Sequence, residues 1–179
     1  MDFQYEQAVE MLRRTPATLA ALLRGLPEAW ITGAEGPDTW SAYDVVGHLL
    51  YADETNWMER ARTIREQGGQ RPFGPFNRAA MFERSQGRSL DELLAAFAQT
   101  RAANLAALDA WHLTPEDLSR TGTHPTLGTV TLSQLLASWV VHDLNHMGQI
   151  VEVMARQYGE AVGPWSAFLA ILQRPILTE

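Results

Sequence analysis

His142 and His146 stand four residues apart in Val141-His142-Asp143-Leu144-Asn145-His146-Met147-Gly148-Gln149. On an α-helix that spacing puts both imidazoles on one face, close enough to grip a single metal ion. His48 lies far upstream on another apolar segment, between Val45 and Ala52. Three nitrogens from two helices would hold a divalent ion and leave coordination positions open to water or substrate. A buried histidine on its own is most simply a hydrogen-bonded core residue. Two adjacent ones on an inward stripe need several partners while staying neutral, and a metal removes that difficulty by taking their lone pairs.

Other residues near this pattern could serve it. Gln149 follows His146 by less than a turn on the same face, and Asn145 lies beside His142. Either could orient a ligand ring or meet a substrate oxygen. Trp40, Trp57 and Trp139 read first as core fillers, with Trp40 and Trp57, which flank the His48 helix, as candidates for pocket walls. Phe73 and Phe76 read first as packing over the bundle mouth and second as a substrate wall. The spacing of His142 and His146 also begins the zinc-protease pattern H-E-x-x-H, but Asp143 stands where that chemistry needs a glutamate base. Asp53 and Asp143 are the nearest carboxylates, and nothing in the sequence makes either a general base. His112 and His124, beside Trp111 and Pro125, read as loop or capping residues.

Four long amphipathic segments must position these side chains. The first covers about residues 3–25, with Val9, Leu12, Leu19, Leu22 and Leu23 at helical spacing and Pro16 within it. A Gly/Pro-rich loop from Pro27 to Asp38 follows. Ser41-x-x-Asp44 has the pattern of a capping box and opens a second helix expected to run to about Gln67. Residues 68–88 read as loop. Ser89-x-x-Glu92 opens a third helix, with Leu90, Leu93, Leu94, Phe97, Asn104 and Leu108 as its inward stripe. A long connection from His112 to Val130 precedes Thr131-x-x-Gln134, which starts the fourth. A short apolar helix near Trp165–Leu172 is expected to cap the end of the bundle. No segment shows sustained β alternation between hairpin signals. The expected fold is all-α, a four-helix bundle in one domain over residues 1–179.

Composition narrows the function classes. The 179 residues are 46% hydrophobic and 20% charged with a net charge of −7, which suits a globular domain and disfavours phosphate backbones and anionic membranes. Cysteine is absent, so no thiolate nucleophile or Cys-ligated zinc can form. No run is long and apolar enough to span a bilayer, and the acidic N-terminus is unlike a secretory signal. A cytoplasmic protein that binds neither nucleic acid nor membrane is expected.

Trp40-Ser41, Gly47-His48-Leu49, Gly128-Thr129-Val130-Thr131-Leu132-Ser133-Gln134-Leu135-Leu136, His142 through Ile150, and Ala161-Val162-Gly163-Pro164-Trp165 together resemble the DinB-like (DinB/YfiT) superfamily in order and spacing. The resemblance implies an up-down-down-up bundle with a divalent metal on three histidines, at the positions of His48, His142 and His146. Zinc or nickel is expected ahead of iron or manganese. Characterised relatives include transferases that join small thiols to electrophiles, and some relatives form homodimers. The resemblance therefore implies a thiol S-transferase acting on small molecules. Two alternatives stay open: a metal-dependent hydrolase, and a non-catalytic metal-binding stress-response protein.

Overall fold

A computed structural model describes residues 1–36 and 39–174 of the chain. Pro37 and Asp38, at the end of the loop expected after the first helix, and residues 175–179 lie outside the described residues. The first long helix, α1 (Tyr5–Leu23), runs unbroken through Pro16. A single turn, α2 (Glu28–Thr32), interrupts the loop after it.

The Ser41 cap opens α3 (Ala42–Thr55), with the Ser41 side chain accepting from Asp44 N–H and Asp44 accepting from Ser41 N–H. The expected single helix to Gln67 is broken at Asn56, after which α4 (Trp57–Gln67) continues. Thr55 Oγ1 donates to the Tyr51 carbonyl at 2.7 Å, a back-bond of the kind that bends helices. Within the segment expected as loop lies a further helix, α5 (Arg78–Ser85), capped by Asn77. It lies against α3 at Gly47, where a Cβ would sit 2.3 Å from Ser85 Oγ. The capping boxes at Ser89 and Thr131 open α6 (Leu90–Asp109) and α8 (Leu132–Arg156) as expected.

The connection between α6 and α8, long enough to be expected to carry small elements, does so. It contains the short helix α7 (Pro115–Ser119) and an antiparallel hairpin of β1 (Thr121–His124) with β2 (Gly128–Thr131), in which Thr121 faces Thr131. Four-residue strands rich in Thr and Gly carry too little alternation to reveal themselves. Gly122 packs on Ile64 and Phe73 where a Cβ would meet side chains at 2.7–3.0 Å. His124 caps the turn, its Nδ1 accepting from the N–H groups of Thr126 and Leu127 at 3.2 Å. At the C-terminal end, the expected α-helix is instead two 3₁₀ turns, Gly163–Phe168 and Ala170–Gln173. Trp165 and Phe168 point outward, 72% and 83% exposed, because neither turn presents a continuous apolar face to the bundle.

Contacts fix the direction of each long helix. Arg24 reaches Asp91 and Arg101 reaches the Leu12 carbonyl, so α1 and α6 are antiparallel. Tyr43 donates to the carbonyls of Ser85 and Arg88 just before α6, and Arg101 meets Asp53, so α3 and α6 are parallel. His48 meets His142 and Trp57 stacks on Trp139, so α3 and α8 are antiparallel. The order is up-down-down-up. Apolar side chains fill two zones: one around Leu19, Val45, Val46, Leu93, Phe97 and Ile150, the other around Trp57, Ile64, Leu108, Leu136 and Trp139. A layer of polar residues lies between them.

Candidate metal centre

The polar layer begins with three rings. His48 comes from α3, and His142 and His146 come from successive turns of α8. Their candidate ligand nitrogens all lie within 4.8 Å of one another, with ring centroids 4.4–5.0 Å apart. His48 and His146 are buried and His142 is half-buried. The Nε2 atoms of His48 and His142 stand 2.9 Å apart. Two neutral imidazoles can share that contact only if one of them carries the proton on Nε2.

Burial, then the neighbouring His146 and Arg78, pull the pKa of His48 down to about 3. Burial, followed by His146, His48 and Arg101, pulls His142 down to about 2. Both rings are therefore neutral at physiological pH, the form in which imidazole ligates. His146 Nδ1 pairs with Gln149 Oε1 at 2.7 Å. An amide oxygen only accepts, so the proton sits on Nδ1 and the Nε2 lone pair is left for a ligand. The Nδ1 atoms of His48 and His142 are buried with no hydrogen-bond partner among the described residues. Only His146 thus has its outer nitrogen held. Convergent imidazole nitrogens of this kind fit a divalent transition ion.

Aromatic side chains surround the trio. Trp40 lies 4.9 Å from His48 and stacks on His146 at 6.0 Å and 17°. Phe76 meets His48 edge-on at 5.4 Å, and Trp57 does the same to His142 at 5.1 Å. Phe82 on α5, 46% exposed, reaches Trp40. Two expected residues stand elsewhere. Phe73 is 5% exposed and packs under the hairpin beside His124 rather than against the trio, because Phe73 N–H is tied to the Thr123 carbonyl. Asn145 is exposed, and no hydrogen bond of the described residues joins it to the trio. Directly before His146 on α8, it is turned about 100° from that ring and falls outside the inward stripe.

The second part of the layer was missed by sequence reasoning. Arg101 of α6, 1% exposed, donates to both oxygens of Asp53 at 2.7 and 2.9 Å and to both of Asp143 at 2.6 and 3.1 Å. It also donates to the Leu12 carbonyl at 2.8 Å and lies between the rings of Phe97 and Trp139. Trp139 Nε1 donates to Asp53, and Asn104 to the Asp53 carbonyl. One guanidinium therefore ties α1, α3, α6 and α8 together, next door to His142. Burial works against its charge, but Asp53 and Asp143 outweigh that and hold its pKa above the usual arginine value. Burial pushes Asp53 up to about 6 against the pull of Arg101, so it stays largely ionised at neutral pH. Committed to Arg101, neither carboxylate is available as a base. A signal existed: Leu94, Phe97, Arg101, Leu105 and Leu108 form one helical stripe with a charge at its centre.

Residues 11–150 match the model of the DinB superfamily. Among solved structures the chain is similar to YfiT from Bacillus subtilis, described as a probable metal-dependent hydrolase with an unusual four-helix bundle topology. The two share 21% identity over 87% of this chain and 90% of that one, with a TM-score of 0.74. It is also similar to TT2238, a four-helix bundle protein, at 22% identity over 80% of this chain and 95% of that one, with a TM-score of 0.53. No curated protein matches the sequence.

Proposed function

This chain belongs to the DinB superfamily, and we propose that it is a metal-dependent enzyme joining a small thiol to an electrophile. The observation that carries the metal-dependent reading is the meeting of three imidazoles, those of His48 and His142 neutral and with Nε2 atoms 2.9 Å apart. His48, His142 and His146 would hold the ion. A divalent ion there, zinc or nickel first, would supply Lewis acidity and lower the pKa of a thiol or water reaching its open positions.

The chain's own residues do the rest. Gln149 fixes the tautomer of His146, so that its inner nitrogen stays unprotonated. Trp40, Trp57 and Phe76 cover the rings and exclude water, which strengthens electrostatic interactions inside. Arg101 fixes the spacing of α3 and α8 through Asp53 and Asp143, and with it the convergence of the rings. The chain has no cysteine, so the sulfur of a transfer reaction must come from a cosubstrate.

Hydrolysis by the same centre is the second reading, favoured by the structural likeness to YfiT, described as a probable metal-dependent hydrolase. The metal-loaded protein incubated with a chromogenic electrophile, with and without a panel of small thiols, separates the two. Thiol-dependent turnover supports transfer, and product formed equally without thiol supports hydrolysis. No turnover in either arm, from protein carrying one metal per chain, would sink both.

A further inference from the structure

We infer that the polar cavity walled by Phe76, the ring that also packs on His48, is a subsite for a small carboxylate, with Arg60 as its recognition residue. The cavity, about 170 Å³, is lined by Tyr51, Thr55, Asn56, Arg60, Phe73 and Phe76 among others. At about 30 Å³ per water it has room for five or six waters, the size of a short-chain acid.

Its placement links it to the metal centre. The Phe76 ring that lines the cavity also packs edge-on against His48 at 5.4 Å, and Tyr51 meets Phe76 at the same distance. A molecule seated there touches the side chain that covers a candidate ligand. The inference rests on the metal-dependent reading only for this role in catalysis, and the binding itself stands apart from it.

Arg60 supplies the chemistry. Its guanidinium lies over the Phe73 ring at 5.4 Å and makes one long hydrogen bond, 3.5 Å, to the Gly74 carbonyl. No carboxylate of the described residues lies within ion-pair distance of it. Arg101, buried in the bundle, holds two, and the partly buried Arg156 holds Glu35. A guanidinium has five donors in a fork that matches a carboxylate, and here nearly all of them lack a protein acceptor. Burial lowers the pKa of Arg60, with Glu59 opposing, and its charge is felt at His124. Glu59, also in the wall, disfavours a dianion such as phosphate. Asn56 adds a neutral amide donor, while the hydroxyl protons of Thr55 and Thr63 are committed to the Tyr51 and Glu59 carbonyls.

The test compares propionate with propionamide, its neutral isostere, by NMR-detected titration of the full chain. Propionate is expected to bind at least tenfold more tightly. Arg60→Gln should remove that preference, and Arg60→Lys should keep part of it. Equal affinity for the two probes, a preference surviving in Arg60→Gln, or inorganic phosphate binding more tightly than propionate would each overturn the assignment. His146→Ala, aimed at the metal centre, should leave the preference intact. A chain that takes up no metal but prefers propionate would therefore sink the functional reading and keep the subsite.

Discussion

Replacing Arg101 by methionine tests the polar layer most directly. The substitution keeps most of the side-chain length but strips Asp53 and Asp143 of their shared counter-ion, and both are 2% exposed or less. It also leaves the Leu12 carbonyl without its donor. Removing one partner of a buried ion pair costs about 3–5 kcal/mol, and two stranded carboxylates place this variant at the upper end. With total stabilities of about 5–15 kcal/mol, much of the folding free energy would go. At about 2–4 °C per kcal/mol for a chain of this size, Tm should drop by roughly 6–20 °C. Urea denaturation at pH 7.5 with linear extrapolation measures the loss. The triple variant Arg101→Met, Asp53→Asn, Asp143→Asn should recover a substantial part, since the uncompensated charges are gone. A single variant within about 1 kcal/mol of wild type would refute the view that this guanidinium ties the four helices, as would a triple variant no more stable than the single one.

His146→Ala should abolish the binding of one divalent ion per chain, measured by elemental analysis after dialysis, and retention of a full equivalent would exclude the trio as the ligand set. Gln149→Leu should weaken metal affinity about 10–100-fold by freeing the His146 ring, read by competition with a chromophoric chelator. Because the folded pKa values of His48 and His142 lie below the ordinary 6.5, the unfolded chain binds more protons between pH 6.5 and about 3. Their contribution to the metal-free protein's stability is whole above pH 6.5 and falls as the pH drops through that window. From pH 6 to 5 two such groups approach about 2.7 kcal/mol per pH unit. The difference in urea stability between wild type and a His48→Asn, His142→Asn variant isolates this slope, and parallel pH profiles would count against it. Gly47→Ala should cost about 1–3 kcal/mol by overpacking against Ser85, and an unchanged urea midpoint would show that α5 yields freely.

The long helices were legible from local chemistry. Ser41, Ser89 and Thr131 cap where their boxes predicted, because an N-cap is a contact between residues three apart in sequence. The inward faces of α1, α3, α6 and α8 followed from 3.6-residue periodicity, and that periodicity put His48, His142 and His146 on buried stripes. Elements whose stability comes from partners distant in the chain were not legible. Strands β1 and β2 hold through mutual pairing and through Phe73 and Ile64. Helix α5 holds through a close approach at Gly47, and the bend at Asn56 has no proline to announce it.

The same division runs through the candidate site. Sequence alone determined which imidazoles share a helix face, since the four-residue repeat is a property of one segment. Only the tertiary structure decided that the Nε2 of His48, ninety-four positions away from His142, meets it, that Phe76 rather than Phe73 covers the rings, and that Arg101 joins Asp53 to Asp143. Those outcomes depend on how helices pack side by side, and burial gives a charge meaning only once its neighbours across the bundle are in place.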